Sequence, residues 1–438
     1  MSRPGAWRRL LVAALVVTPL LAGTGLAHAE SAAAGTTACY DPHATLTVEE
    51  QRLDRSLDPG GAPVGPELVR LAGFDRQVSE FTQVLCHART LSQARALASE
   101  HGGRLWRTAV DRAQGRRPDL GELDRFDDRP LYWARLQLTK ALRQWRPARP
   151  ITEAQRAELV RTLDWTSRGI GSVHLPPAPG VRRVLVSGFD PFQLDGNGIR
   201  RGNPAGVASL RLDGRTFDTP QGRVRVEAVT FPVLWGGFDE GIVEAAYGPW
   251  LRPGPQRVDM ITTISQGRPE QFDIERWAGR WRGGSPDNDD ASSTGPVPAA
   301  TGWPQPAEEF IETTLPAQEM IDAGTGPYRV LFNREFAVWP DPNNPGQGEP
   351  IRRTDEPRPG EKAASGSGGD YLSNESMYRA NRVRVGLGAT QVHGGHLHVP
   401  ILTMPDSDTA LTDPGYEQRR QQIADQTVEL IRAGSLAS

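Results

Sequence analysis

The sequence has few of the residues that mark several classes of protein. Its 438 residues include two cysteines, and Lys140 and Lys362 are its only lysines although Lys and Arg together number 50. The formal net charge is −3, so no basic excess favours nucleic acid or an anionic membrane surface as a partner. After the first thirty residues no apolar run is long enough to span a bilayer. We therefore expect neither a nucleic-acid partner nor a membrane-spanning segment in the mature chain.

The N-terminus has the pattern of an export signal. Three arginines within the first nine residues precede an apolar run over residues 10–22, and the small residues Ala27 and Ala29 flank His28 as at a cleavage site. We predict that residues 1–29 form a signal peptide and that the protein is secreted. No membrane attachment is expected after the signal is cleaved.

The two cysteines are Cys39 and Cys86, and both lie in the N-terminal half. Free thiols are readily oxidised outside the cell, so an exported chain with two cysteines favours a bond between them. We predict a disulfide between Cys39 and Cys86.

The first half of the mature chain has a helical pattern. Capping boxes at residues 47–50 and 152–155 open two helices, and apolar side chains recur at three- and four-residue steps over residues 131–145. We predict a helical domain over residues 30–171, followed by a proline-rich linker at residues 172–180. No metal spacing or nucleophile motif occurs in this domain. It is interpreted as a packing or docking domain, and a module that binds a cell-wall or protein partner stays open.

From residue 181 to residue 438, strand patterns alternate with helical ones. The predicted strands are residues 183–187, 224–231, 258–265, 328–332 and 396–402. The predicted helices are residues 235–247, 308–321 and 416–433. This alternation is typical of a layered α/β sheet, so the fold class is predicted to be α/β after a small helical domain.

Two long polar stretches interrupt this α/β pattern, at residues 283–306 and 339–367. Both are dense in Pro, Gly, Asp and Ser and are too polar to form a core. The second stretch leads directly to Ser373. Long loops of this kind are either disordered or cover a site, and the sequence leaves both readings open.

Three residue types suited to nucleophilic catalysis occur around these loops. Ser373 follows a glycine-rich loop at the start of a predicted helix, where backbone N–H groups and the helix dipole stabilise negative charge. His398 lies on a predicted strand, and Glu275 lies upstream of both. A hydroxyl, an imidazole and a carboxylate can act as nucleophile, base and orienting group. The alternatives are a helix N-cap for Ser373, a surface ion pair for Glu275 and a hydrogen-bonded strand histidine for His398.

Histidines at positions 393, 396 and 398 raise the question of a metal. Residues two apart on a strand face the same way, but no nearby cysteine or carboxylate pair completes a ligand set. We therefore predict no metal and no cofactor.

Seven short motifs follow one another in a fixed order between residues 183 and 405. They are Gly188-Phe189-Asp190-Pro191-Phe192, Asn203-Pro204, Gly267-Arg268, Ile274-Glu275-Arg276, Pro286-Asp287-Asn288, Tyr371-Leu372-Ser373-Asn374 and Leu397-His398-Val399-Pro400. This order resembles that of the pyroglutamyl peptidase I family. The resemblance implies an α/β/α sandwich for residues 181–438 and a hydrolase that removes N-terminal pyroglutamate from peptides.

The resemblance also implies roles for individual residues. The family's catalytic residues occur in the order Glu, Cys, His, which correspond here to Glu275, Ser373 and His398. Phe189 and Phe192 would hold the flat pyroglutamyl ring between them. The chain departs from the family pattern at Ser373, and also at Glu375, where the family usually has His. It further has Gly283-Gly284-Ser285 where the family has an Arg.

These departures leave two functions open. One is a pyroglutamyl-peptidase-like hydrolase that uses Ser373 in place of cysteine. The other is an inactive homologue that binds blocked peptides or protein partners. The family often forms homotetramers, and because the extra domain and insertions could block those contacts, we expect a monomer or a dimer.

Overall fold

The computed structural model describes residues 39–219 and 222–437. The predicted signal peptide, residues 1–29, lies outside them. The N-terminal part is helical, with α1 Val48–Gln51, α2 Val64–Leu71, α3 Asp75–Cys86, α4 Leu91–Ala113, α5 Arg129–Gln144 and α6 Glu153–Thr166. None of the described helices is both apolar and long enough to cross a membrane.

Capping and packing explain why these helices begin and assemble where they do. Thr47 and Thr152 each accept a hydrogen bond from the backbone N–H three residues on. The side chains of Glu50 and Gln155 accept one from the backbone N–H of Thr47 and Thr152, so both predicted capping boxes are confirmed. The helices enclose a core in which Trp106 is fully buried. The predicted disulfide is also confirmed, since Cys39 and Cys86 are bonded with their Cα atoms 5.5 Å apart.

A seven-stranded, mostly parallel sheet forms the centre of the second part. Its strands are β1 Val181–Phe189, β2 Arg215–Thr219, β3 Gly222–Phe231, β4 Met260–Gln266, β5 Gln271–Glu275, β10 Arg329–Asn333 and β14 His393–Val399. Their order across the sheet is β10-β5-β14-β4-β1-β3-β2. Strand β5 runs antiparallel to β14 and β2 runs antiparallel to β3, while the other neighbours are parallel. The predicted mixed α/β class is confirmed.

Helices cover both faces of the sheet. Along β1, Val184 and Val186 pack on one side and Leu185 on the other, because successive side chains of a strand point to opposite faces. The first face carries α7 Pro204–Leu212, α10 Ala317–Asp322 and α12 Pro414–Ala437. The second face carries α8 Trp235–Asp239, α9 Ile242–Leu251 and α11 Leu372–Gly386.

Two predicted helices are wrong in extent. The helix predicted at residues 235–247 is two helices, because Gly241 adopts a left-handed φ of 79° between α8 and α9. The helix predicted at residues 308–321 begins instead as a strand, β9 Phe310–Glu312, and helix α10 starts only after Pro316. Proline has no backbone N–H and disfavours helical geometry in the residue before it, so the helical pattern upstream of Pro316 does not continue into α10.

Parts of the polar stretches and the residues that flank them form small sheets. Strands β7 Trp281–Gly283 and β8 Thr294–Pro296 pair with each other, and β6 Trp277–Gly279 pairs with β9. Strands β11 Phe336–Val338, β12 Ile351–Arg353 and β13 Ala363–Ser365 form an antiparallel sheet in the order β12-β11-β13. The stretch before Ser373 is therefore in part regular structure.

The helical part is joined to the sheet by buried ion pairs. Arg135 on α5 donates to both carboxylate oxygens of Asp190 at 2.9 Å, and Arg168 donates to one of them at 2.6 Å. Asp190 is 3% exposed and directly follows β1. The end of β1 at Phe189 and the loop that carries Phe192 are thus held by arginines from outside the sheet.

Candidate functional site

Glu275 and His398 meet at the boundary between β5 and β14. In the antiparallel pairing of these strands Glu275 lies opposite His396, so His398 is its diagonal neighbour on the same face. Oε1 of Glu275 lies 2.6 Å from Nδ1 of His398. Their exposed fractions are 1% and 7%. The sequence placed these two residues together only through the family resemblance, and the structure brings them into direct contact.

Asn333 completes the surroundings of Glu275. The last residue of β10, it pairs with Glu275 in the β10–β5 register and donates to its Oε2 at 2.8 Å. Burial raises the pKa of Glu275, while the hydrogen bonds from His398 and Asn333 act in the opposite direction. The carboxylate is therefore fixed at both oxygens, which holds the imidazole in one orientation.

Ser373 lies at the start of helix α11. Its Oγ donates to the carbonyl oxygen of Gly368 at 3.2 Å, and the hydroxyl is half-buried. Within the described residues it makes no hydrogen bond to His398. A Cβ at Gly368 would lie 3.2 Å from Cε1 of His398, so the residue that accepts from Ser373 also lies next to the imidazole. The structure brings Ser373 close to the pair without bonding it to the histidine.

One cavity of about 670 Å³ is lined by Glu275, Ser373 and His398. Phe189 and Phe192 line it too, but differently. Phe189 is 3% exposed and packs against Phe231 and Phe238 at 6.0 and 6.1 Å between ring centroids, whereas Phe192 is half-buried. The predicted ring-binding residues and the predicted catalytic residues therefore face the same space.

Gly267 shapes the wall behind the histidine. A Cβ at this position would lie 2.6 Å from Cβ of His398, a distance too short for any side chain. The backbone N–H of Gly267 also donates to the carbonyl of Val399 at 2.9 Å. A glycine is thus required for β4 to approach the end of β14, and this explains the first residue of the Gly267-Arg268 motif.

Asn374 and Glu375 fix the start of helix α11. The side chain of Asn374 accepts from the N–H of Gly279 and donates to its carbonyl, both at 2.8 Å. Glu375 is fully buried and forms ion pairs of 2.6 Å with Arg282 and Arg379. The departures from the family pattern at Glu375 and before Pro286 therefore coincide with a buried ion pair beneath the helix.

The neighbouring histidines are engaged in other hydrogen bonds. His396 is fully buried, and its two ring nitrogens lie 2.7 and 2.9 Å from the hydroxyls of Thr263 and Ser265. Burial lowers its pKa well below the ordinary value of 6.5. His393 is bonded to the carbonyl of Thr314. Among the described residues no group of three or more His, Cys, Asp or Glu side chains is placed to hold a metal ion.

Sequence reasoning missed Asn333. It becomes visible only when β10 is paired with β5 in register, which brings together residues 58 positions apart. No local motif marks it.

An imidazole oriented by a fixed carboxylate, beside a hydroxyl at a helix N-terminus, can accept the proton of a nucleophile during acyl transfer.

Two domain families match this chain. The PA0049 N-terminal domain matches residues 29–164, and the PA0049 C-terminal domain matches residues 183–308 and 333–403. The chain is also similar to a Pseudomonas aeruginosa protein described as "Uncharacterized protein PA0049". The two are 34% identical over 496 residues, which covers 90% of this chain and 89% of the relative.

Proposed function

Because this chain belongs to the PA0049 family, whose description assigns no activity, we propose its function from its own site. It is a secreted hydrolase that removes N-terminal pyroglutamate from peptides, with an α/β/α sandwich of the pyroglutamyl peptidase I type. The observation that carries the proposal is the 2.6 Å contact between Glu275 and His398 in a cavity that also contains Ser373. The disulfide between Cys39 and Cys86 supports export.

The proposed reaction is acyl transfer through Ser373. The pyroglutamyl ring lies against Phe192 and the exposed edge of Phe189, which places the carbonyl after the ring near the hydroxyl. Oγ of Ser373 attacks this carbonyl carbon while Nε2 of His398 takes the hydroxyl proton, and Glu275 stabilises the imidazolium. The proton then passes to the leaving amine as the peptide bond breaks.

The second half of the reaction uses water. The acyl group remains on Ser373 as an ester, and His398 removes a proton from the attacking water. Collapse of the intermediate breaks the ester bond, returns the proton to Ser373 and releases pyroglutamate. The N–H groups at the start of helix α11 and its dipole favour the negative charge that develops in both halves.

One observation favours the second candidate, a binding module for blocked peptides. Oγ of Ser373 donates to Gly368 rather than to His398. A serine hydroxyl needs an aligned base to become a nucleophile, so catalysis requires its side chain to rotate when substrate enters. Catalytic hydrogen bonds often align only in the substrate complex, which is why hydrolysis stays the first proposal.

The test compares the wild type with Ser373→Ala and Ser373→Cys on a pyroglutamyl-anilide. We expect Ser373→Ala to lose at least about a thousandfold in kcat/KM. We expect Ser373→Cys to exceed the wild type, because a thiol ionises readily beside an imidazole.

The matched control is Ser376→Ala. Ser376 lies on the same helix, outside the residues that line the cavity, and its hydroxyl donates to the carbonyl of Ser373 at 2.7 Å. We expect it to keep activity within several-fold of the wild type. If wild type and Ser373→Ala are equally inert and Ser373→Cys gains nothing while remaining folded, hydrolysis is contradicted. Calorimetry with an uncleaved pyroglutamyl peptide then tests the binding module.

The assembly state is a separate part of the proposal. We expect a monomer or a dimer, because the helical part and the insertions occupy surface around the sheet. Sedimentation that shows a tetramer would contradict this expectation.

A further inference from the structure

A second cavity adjoins the first. Its volume is also about 670 Å³, and it shares Phe192, Gln193 and Tyr371 with the cavity that contains Ser373. The remaining wall is strongly charged. Its charged residues are Arg52, Asp195, Arg201, Asp287 and Asp290.

Three of the four arginines that line the two cavities already have carboxylate partners. Arg52 pairs with Asp195 at 3.2 Å and Asp290 at 3.4 Å. In the first cavity, Arg268 lies 3.4 Å from Asp273 and Arg352 lies 3.1 Å from Glu335. The positive charges of these three side chains are therefore already paired with carboxylates of the protein.

Arg201 differs from these three. Within the described residues it forms no ion pair, and its side chain makes no hydrogen bond to protein. Its Nε is buried without a partner, and the residue as a whole is half-buried on the wall of the second cavity. A guanidinium is always charged and presents several donors in one plane, so an unpaired one in a partly buried wall favours an anion of matching shape.

The acidic residues of the same wall are engaged elsewhere. Asp195 is bound by both Arg52 and Arg55. Asp287 accepts hydrogen bonds from the backbone N–H groups of Trp235, Asp289 and Ala291 at 2.8 to 3.0 Å. The charge of Arg201 is thus left for a ligand.

Gln193 stands at the junction between the cavities. It is one of three non-glycine residues with a left-handed φ in the described part of the chain, at 58°. Its side chain is exposed and makes no hydrogen bond to the described protein. Non-glycine residues rarely adopt this conformation, and those that do concentrate at ligand sites. Its amide is free to contact whatever crosses from one cavity to the other.

We propose that the second cavity is a subsite that binds a carboxylate of the substrate peptide through Arg201. The inference rests on the proposed function, since it assumes that the pyroglutamyl end occupies the first cavity. The substrates it selects are pyroglutamyl peptides with a negative charge within the next few residues. That charge comes either from a free C-terminus or from an acidic side chain.

The test measures binding to the Ser373→Ala protein, which keeps peptides intact. The ligands are pyroglutamyl-alanyl-alanine with a free C-terminus, the same peptide as its amide, and the amides in which either alanine is replaced by glutamate. By calorimetry we expect at least one charged peptide to bind about tenfold tighter than the neutral amide. The free acid and the glutamate amides distinguish the two sources of charge.

Substitution of Arg201 tests whether this arginine binds the negative charge of the peptide. We expect Arg201→Gln to remove the preference for charged peptides and leave the affinity of the neutral amide unchanged. Arg201→Lys should keep part of the preference, because it retains the charge without the planar donors. The matched control is Arg352→Gln, an arginine of the first cavity, which should leave the preference intact.

The outcomes separate the subsite from the proposed function. Equal affinity for charged and neutral peptides, or loss of the preference in Arg352→Gln but not in Arg201→Gln, overturns the subsite. If the neutral pyroglutamyl amide binds no better than its N-acetyl-alanyl counterpart, the assignment of the first cavity is contradicted as well.

Discussion

Asn333 donates a hydrogen bond of 2.8 Å to Oε2 of Glu275, the carboxylate oxygen that His398 does not contact. The same amide nitrogen lies 2.8 Å from the carbonyl of Ser367. The next residue, Gly368, is the acceptor for Ser373. One side chain therefore connects the carboxylate to the loop that faces the hydroxyl.

We predict that Asn333→Ala lowers kcat by about 10- to 100-fold with little change in KM. Without this hydrogen bond the ionised carboxylate is less stabilised, so the pKa of Glu275 rises and the acid limb of the kcat profile moves to higher pH. Steady-state kinetics over a range of pH measure both effects. A purely structural role would reduce activity without moving the limb, and Asn343→Ala in an exposed loop is the control.

Glu49 makes the free energy of unfolding depend on pH between 4.5 and about 8. It is buried between the helical part and the sheet, where it accepts hydrogen bonds from Tyr132 at 2.8 Å and Asn288 at 2.9 Å. Burial raises its pKa from 4.5 to about 8. The native state keeps this proton where the unfolded state loses it, so the stability it contributes is lost as pH rises from 4.5 to about 8.

We therefore predict that Glu49→Gln, which resembles the protonated acid, becomes more stable than the wild type as pH rises through this range. The gain at pH 9 over pH 5 should reach on the order of a few kcal/mol. Urea unfolding at both pH values measures it, with the exposed Glu122→Gln as control. A constant difference between wild type and Glu49→Gln across pH would contradict the prediction.

His396 makes the free energy of unfolding fall as the pH falls, which is opposite to the effect of Glu49. Its pKa is lowered by burial, so below pH 6.5 the unfolded state takes up a proton that the native state does not. Stability therefore falls as pH falls. We predict that His396→Gln reduces this slope by up to about 1.4 kcal/mol per pH unit below pH 6.5. Unfolding at pH 5, 6 and 7 measures the slope, and the exposed His43→Gln should leave it unchanged.

The disulfide closes a loop of 47 residues. Closing a loop of this length removes conformational freedom from the unfolded chain. We predict that replacing Cys39 and Cys86 together with serine lowers the free energy of unfolding by about 2–4 kcal/mol. Denaturant titration of the double variant against the wild type measures the loss. An equal stability of the two proteins would show that the bond leaves the unfolded state unconstrained.

The sequence predicts best those features that depend on neighbours along the chain. Capping boxes such as that at Thr47 and the alternating strands are local signals, and they are confirmed. The disulfide is a distant contact, but two cysteines allow one pairing, and it is confirmed. The helix predicted across Pro316 is wrong because the periodicity spans a segment that forms β9 and a proline that caps the start of α10. Asn333 and Arg201 could not be found from the sequence. Asn333 matters because of strand register, and Arg201 because it has no ion pair among the residues that the structure describes; neighbouring residues show neither property.

Asp190 has a consequence for how this protein can be divided. The carboxylate adjoins Phe189 in the sheet half, while its two countercharges, Arg135 and Arg168, belong to the helical half. A sheet half expressed alone would lose both ion pairs and expose Asp190 to water, so the loop that carries Phe192 would no longer be held by the two arginines. We therefore expect the cavity that contains Ser373 to keep its shape only when the helical half is present.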